Sequence, residues 1–502
     1  MAYLLGIDAG TSSVKAALFD EEKGGIASAC VECAASYEND GCVELDMEKY
    51  WNACKECIST ISKESKLDFK DLKALAISSQ GVTFVPVDRH GKELGRGIVS
   101  YDTRAQCEAE ELIQQFGEEK LFEVTGQPVL PETFEAPKLL WIRKHEPDRF
   151  RNIHKILLVH DYLVYKLTGN FICVPPLLSS SLLFDVRHKK WWKEMLDFLE
   201  LSPEKLPRIY QPGEPAGYVT KKASAETGIS PETLVVAGAI DQVCGMIGVG
   251  NISPGLISES TGSFLAIHTV SSNFFNQRDA GIHNFCNAVE NTYALIGVCP
   301  TAGSAFDWFK ENFCEMEKEY AEKTGSNIFE LLIEKAEKIT AGSDGLFMLP
   351  YLSGKGSPDP DPLAKGSWYG FRLHHKKEHF VRALMESIAY KLKSNIDVFK
   401  ENGLDIKEIR SFGGGSQSGI WNQIKADVCR LPIITSDYSE PGCLGAAIIA
   451  GVGCDIYKSV EEGCQRLVVS GKQYHPDEKT SRKYENYYGE FMKFNEIMKS
   501  IY

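Results

Sequence analysis

The sequence predicts an α/β fold of two domains with a cleft between them. Three observations carry this. A chain of 502 residues exceeds what one hydrophobic core organises, so two large domains are expected, 1–245 and 246–502. Strand-like apolar runs alternate with helix-period segments through the first half. Finally, two hairpins of like composition stand at the heads of the two halves, within residues 4–20 and 256–268.

The first hairpin reads "GIDAGTSSVKAALFD". Asp8 ends a buried strand, where an unpaired carboxylate is costly. Gly10 lets the backbone turn and approach a ligand. Thr11, Ser12 and Ser13 add hydroxyls beside exposed backbone N–H groups. The set suits a phosphate, with Asp8 near a metal or its water. An ordinary Asp-Gly turn has the same composition, and what raises this one is its counterpart. Strand 256–259 runs into Ser260, Thr261, Gly262 and Ser263, and strand 264–268 leads out. Two such loops facing across a cleft suit adjacent phosphates of a nucleotide; two unrelated turns are the alternative.

Between the hairpins the pattern predicts a strand over 27–35, a helix started by Asp46, and strands over 72–78, 83–88 and 98–101. Helices are expected over 105–116, 137–145, 155–167 and 191–199. Strand 234–239 runs into Asp241 and Gln242. In the second half, Thr301, Ala302, Gly303 and Ser304 precede a helix over 305–313, so backbone amides are again available. Strand 410–412 enters the run Gly413, Gly414, Gly415, which continues to Gly419 and a helix over 421–430. Glycines there permit close approach of a flat ring or a phosphate. The segment 441–447 opens a small-residue helix, which tight helix packing also explains. The charged, aromatic tail from Tyr474 reads as a surface helix without chemistry.

The net charge of −14 and the lack of a basic run argue against a nucleic-acid partner. No apolar run reaches membrane-span length, and the chain enters a strand without a targeting segment, so a cytoplasmic protein is expected. The 15 cysteines are scattered, as in a reduced compartment. Cys30, Cys33, Cys54 and Cys57 have the spacing of a zinc site. However, the first two fall on a strand, where positions three apart face opposite ways, and the others join a helix's apolar stripe. Small core residues are the simpler reading.

A hydroxyl attacking a terminal phosphoryl group needs phosphate cradles, a metal, and a carboxylate to take the proton. Asp241 is the candidate base, since it follows a buried strand at the junction of the halves; a helix cap is its alternative. Gln242 beside it can hydrogen-bond substrate hydroxyls. Gln80 and Asp102, each at a strand end, are candidate sugar contacts or plain turn residues. Lys15 faces either the phosphates or solvent. Walker A, Gly-x-Gly-x-x-Gly and protein-kinase signatures are absent.

These segments together resemble the FGGY family of carbohydrate kinases, in particular its xylulokinase-like members, over residues 4–455. The motifs are the opening hairpin, "GAIDQ", "STGS", "TAGSAFDWF", "LPYLSGKGSPDPDPLAKGSWYGF", "FGGGSQSGIWNQIKADV" and "GCLGAA". The resemblance implies two actin-like (ribonuclease H-like) ATPase domains with a catalytic cleft. It implies ATP and Mg²⁺ as cofactors and phosphoryl transfer to a small sugar or polyol, with a homodimer admitted. By motif, Asp8 lies near Mg²⁺, and Thr11, Ser12 and Ser13 belong to the first phosphate loop. Asp241 matches the catalytic base, and Thr261 and Gly262 the second phosphate loop. Gly303, Gly414, Gly415 and Gly419 fall on the nucleotide side, and Gln80, Asp102 and Gln242 on the sugar side. Gly81-Val82 departs from the Met-His of xylulokinases and the Arg-Glu of glycerol kinases. Cys173-Val174 replaces a Thr-Asp pair. A ketopentose such as xylulose is the expected acceptor. Ribulose, fuculose, erythritol, glycerol or gluconate are the alternatives, and a non-catalytic sensor or a sugar-independent ATPase are the rival classes.

Overall fold

The structure, a computed structural model, describes residues 2–33, 36–37, 41–67, 69–128 and 132–502. Among these, the first half is built on a six-stranded sheet. Its strands are β1 (Tyr3–Ala9), β2 (Ser13–Asp20), β3 (Gly24–Glu32), β4 (Leu72–Ser79), β5 (Pro215–Tyr218) and β6 (Leu234–Ile240), in the order β5-β6-β4-β1-β2-β3. β1, β2 and β3 form an antiparallel meander, whereas β4 joins β1 and β6 joins β4 in parallel. The parallel strands are covered on both faces, which is why β4 reads as apolar over Ala74 to Ile77 and β6 as an unbroken apolar run.

The second half repeats this plan on a seven-stranded sheet. Its strands are β7 (Leu256–Thr261), β8 (Leu265–Ser271), β9 (Ile282–Cys286), β10 (Tyr293–Cys299), β11 (Glu408–Phe412), β12 (Ile433–Ser436) and β13 (Ser470–Tyr474). The order is β9-β10-β8-β7-β11-β12-β13. The inner set β10-β8-β7-β11-β12 has the senses of β3-β2-β1-β4-β6. Both hairpins therefore open the central strands of a duplicated, ribonuclease H-like sheet.

Seven helices matter below: α1 (Met47–Ser65), α2 (Asp241–Gly248), α3 (Gly303–Phe313), α4 (Lys377–Glu401), α5 (Gly419–Cys429), α6 (Pro441–Gly453) and α7 (Glu478–Lys499). The Asp46 side chain caps α1 by accepting from the Glu48 N–H at 3.0 Å. The small residues of α6 serve tight packing. A Cβ on Gly6 of β1 would lie 1.8 Å from the Cys443 carbonyl oxygen, and one on Gly445 1.9 Å from that of Cys244 in α2. So α6, although it belongs to the second half, packs into the first domain's core, with Cys443, Leu444 and Ala447 wholly buried there. The division near residue 245 falls inside α2.

Several local expectations change. Residues 155–167 are not one helix. Strand Lys155–Leu158 pairs antiparallel with strand Phe84–Val87, and helix Val159–Thr168 follows. An apolar run buried all round carries no periodicity to separate the two states. The strand expected over 27–35 is β3, with Ala34 and Ala35 outside the described residues. The tail helix α7 is not merely superficial: Tyr484 and Phe491 are buried. The Tyr484 hydroxyl accepts from Arg382 of α4 and donates to Glu386, each at 2.8 Å. Cys54 and Cys57 are buried in α1, Cys33 is buried and Cys30 exposed. No helix among the described residues is long and apolar enough to cross a membrane.

Candidate active site

The Gly10 N–H donates to the Ser13 carbonyl at 2.9 Å, closing the first hairpin and leaving Thr11 and Ser12 exposed. Asp8 sits one step before the turn, opposite Lys15 in the β1–β2 register. Its Oδ1 accepts from the Ser78 hydroxyl at 2.6 Å. Burial raises the Asp8 pKa, and the Ser78 bond and the Lys15 charge oppose the rise. Lys15 itself is paired, with Nζ 2.7 Å from Glu440 at the start of α6. The same helix start presses on the carboxylate, since a Cβ on Gly442 would lie 2.8 Å from Asp8 Oδ2.

Asp241 is the first residue of α2, at the end of β6, and its Oδ1 accepts from the Gln242 N–H at 2.7 Å. Burial, and then the Asp8 charge, raise its carboxyl to about 7, with the Gln242 bonds working the other way. The two acids stand at the same end of parallel strands of one sheet, where such sheets place ligands.

Two cavities matter here, of which only the smaller reaches Asp241. The smaller, of about 450 Å³, is walled by Thr11, Gln80, Gln127, Asp241 and Gln242 from the first half and Phe264, His283 and Phe285 from the second. Gln80 ties it to the first loop. Its Oε1 accepts from Thr11 at 3.2 Å and Thr83 at 3.1 Å, and its Nε2 donates to the Tyr50 hydroxyl, which donates to the Gly10 carbonyl at 3.1 Å. Gln242 Oε1 takes a hydrogen bond from His268 Nε2, and its amide nitrogen bonds the Asp241 carboxylate, which leaves one N–H for a ligand. Burial drives the His268 pKa down to about 4, so the ring is neutral. The neighbouring turn leaves no room for bulk, since a Cβ on Gly81 would lie 2.9 Å from Ser180 Oγ. Val82 there has φ 68°, a costly conformation for a β-branched residue.

Asp102 is not brought to this cavity. It is fully buried, accepting from the Val43 N–H at 2.6 Å and from Arg104 Nε at 2.9 Å and Nη2 at 2.8 Å. A strand-end acid two residues before an arginine satisfies itself locally, while Val43 comes from a distant segment. Ser12 and Ser13 line neither cavity.

The larger cavity, about 710 Å³, lies in the second half and gathers Thr261, Gly262, Gly303, Gly414, Gly415 and Gly419. Its opposite wall includes Phe306, Phe329, Ile333, Ile420 and Trp421, an apolar shelf of the size a flat ring needs. Sequence reasoning missed the part from helix Ile328–Glu337, whose only signal is an apolar stripe. The Thr261 hydroxyl is spent within the protein. It donates to Glu259 Oε2 at 2.7 Å and accepts from Lys425 Nζ at 2.9 Å, so the loop backbone and the exposed Ser263 hydroxyl are what the loop has left for a phosphate. The start of α3 is also partly used: Ala302 N–H donates to the Ser263 carbonyl at 2.9 Å and Gly303 N–H to that of Gly262 at 2.8 Å.

A duplicated ribonuclease H-like fold, with a glycine-rich cavity and a second cavity walled in part by a carboxylate, defines a phosphotransferase that moves a phosphoryl group from a nucleotide to a small acceptor. The chain belongs to the FGGY family of carbohydrate kinases: the family's N-terminal domain matches residues 3–248 and its C-terminal domain residues 256–454. It is 30% identical over 485 residues to a xylulose kinase of Staphylococcus epidermidis, covering 97% of this chain and 95% of that one. The structure is similar to that of a xyloylose kinase from Brucella ovis, with TM-score 0.89 and 25% identity over all of both chains. A gluconate kinase from Lactobacillus acidophilus shares the fold, with TM-score 0.90 and 23% identity over 99% of this chain and 98% of that one. The protein is an ATP-dependent sugar kinase.

Proposed function

We propose that the chain transfers the γ-phosphoryl group of ATP to a hydroxyl of a neutral ketopentose such as xylulose, in the cytoplasm. The observation that carries this is the position of Asp241, a carboxyl with a pKa of about 7 on the floor of a cavity walled by both domains. A base poised near the working pH takes a proton most effectively in the transition state. Full-length similarity to a xylulose kinase supports the ketopentose. Among the described residues, no lysine or arginine lines the smaller cavity, which disfavours the carboxylate of an aldonate such as gluconate.

In this reading Gln242 and Gln80 hold the sugar so that one hydroxyl points at Asp241. Asp241 accepts its proton as the oxygen bonds to the γ-phosphorus, the bond from that phosphorus to the β–γ bridging oxygen breaks, and ADP leaves. The adenine rests on the Phe329 and Trp421 shelf, and the backbones at Gly262, Gly303, Gly414, Gly415 and Gly419 frame the nucleotide. Thr11, Ser12 and Ser13 cover the transferring group from the first loop. Asp8, an oxygen donor ordered by Ser78, fits a Mg²⁺ that takes its remaining ligands from phosphates and water. Such an ion neutralises phosphate charge. Asp102 has a supporting place in this scheme, bracing through Arg104 the segment behind the sugar cavity.

The test is ATP turnover with xylulose, ribulose, glycerol and gluconate. A ketopentose is expected to give the highest kcat/KM. Turnover that no sugar alters would overturn the proposal.

A further inference from the structure

His283, on the edge strand β9, lines the smaller cavity and has no role in the scheme above. Its Nδ1 lies 2.6 Å from Oε1 of Gln127, a residue of the first domain. The Gln127 amide is held in one orientation, because its Nε2 donates to the Ser179 carbonyl at 2.8 Å. Oε1 therefore faces the imidazole, and an amide oxygen can only accept. It follows that Nδ1 carries the proton and Nε2 presents a lone pair. Burial keeps the ring neutral, with its pKa down at about 4.

The ring is also fixed in place. The Asn284 N–H donates to the Gly126 carbonyl at 2.9 Å, and the Cys286 N–H to the Ser179 hydroxyl at 2.9 Å. Three contacts thus hold the β9 strand to the first domain around this one imidazole. Nε2 has no protein partner among the described residues, and it is not one of the sealed, unpaired polar atoms. The cavity is where it is open.

We propose that His283 Nε2 is a specificity-determining contact that accepts a hydrogen bond from one hydroxyl of the sugar, with Gln127 as the positioning residue that sets its tautomer. The inference rests on the sugar-kinase reading and deepens it. A lone pair rewards a hydroxyl and repels a carbonyl or carboxylate oxygen at that point. The cavity then grips its substrate with a donor at Gln242 and acceptors at Asp241 and His283. That pattern suits a polyhydroxylated neutral molecule, since each buried hydroxyl left unpaired is penalised.

The experiment measures kcat/KM for D-xylulose, L-ribulose, glycerol and D-gluconate, and then for the monodeoxy analogues of the preferred sugar. His283→Phe keeps a ring and removes the lone pair. It is expected to lower kcat/KM for the preferred sugar about 10- to 100-fold, with the KM for ATP within twofold of the parent. Wild-type enzyme should lose a similar factor on one monodeoxy analogue, and His283→Phe should lose nothing further on that analogue. His283→Gln, which restores an acceptor, should recover part of the loss. A change below twofold for the preferred sugar overturns the proposal. So does an equal, additive loss on every analogue, which would mark a purely structural role. A preferred substrate other than a ketopentose overturns the substrate proposed above and leaves the His283 comparison to be decided on that substrate. No turnover with any of the four overturns both.

Discussion

The Lys425 ammonium lies 2.6 Å from the Glu259 carboxylate, and neither side chain has any exposed surface. Their pairing runs under the second phosphate loop. Lys425 and Glu259 both bond the Thr261 hydroxyl, and Ser411 donates to Glu259 from β11. Asn422 of α5 extends the network, its Nδ2 donating to the Ser416 carbonyl at 2.7 Å. The two loops that frame the nucleotide cavity are thus tied to one buried ion pair.

Lys425→Met is expected to destabilise the protein by about 3–5 kcal/mol, because it strands a buried carboxylate. The double variant Glu259→Gln with Lys425→Met should recover much of that loss. Denaturant unfolding checks both. In the double variant the KM for ATP should still rise, since Thr261 has lost its charged partners.

In its proposed role as base, Asp241 is expected to set the acid limb of the rate profile. A base must be ionised to act, so kcat/KM for the sugar should rise with pH through about 7, the value to which burial and Asp8 raise this carboxyl. Asp8→Asn removes the neighbouring negative charge and should move the limb to lower pH, on a lower plateau. Asp241→Asn should reduce turnover by several orders of magnitude while nucleotide binding survives. Loss of ATP binding in that variant would place Asp241 in another role.

Glu135 offers a stability test away from the chemistry. Among the described residues both of its carboxyl oxygens are buried without a hydrogen-bond partner, and burial pushes its pKa up to about 8. A carboxyl raised in the folded state favours folding least where the unfolded chain is ionised. The cost therefore grows as pH rises from about 4.5 and levels off above about 8. Glu135→Gln should raise stability by about 2–3 kcal/mol at pH 7, with no gain below pH 4. Unfolding midpoints at the two pH values decide it.

Gly6→Ala tests the junction of the halves. The new Cβ would lie 1.8 Å from the Cys443 carbonyl oxygen, a backbone contact that no rotamer relieves. Loss of soluble folded protein, or a destabilisation above about 3 kcal/mol, is expected. Gly442→Ala meets the Asp8 carboxylate instead. It should lower kcat more than it lowers the melting temperature.

Both hairpins were legible in the sequence because their pattern is local: an acid or polar strand end, a glycine turn and hydroxyls within a few residues. The glycine run at 413–419 was legible for the same reason. Helix 155–167 misled because three apolar residues buried on every side, Ile156 to Leu158, look alike in either state. The partners of Asp102 were only half legible, since Arg104 is its neighbour but the Val43 N–H comes from a remote segment. Lys15 could not be placed until Glu440, from the far end of the chain, appeared beside it.

The sequence alone determined the duplicated α/β plan, the two loops, the candidate base and the family, since each rests on residues close together in the chain. The tertiary structure decided what those residues can do. Asp241 is raised to about 7 because it is buried, and then because Asp8 stands near it. The Thr261 hydroxyl is withheld because Lys425 and Glu259 close on it. His268 and His283 become neutral partners of Gln242 and Gln127 because packing across the cleft removes water from both rings. Charge and desolvation depend on distance in space, and separation along the chain does not reveal that distance.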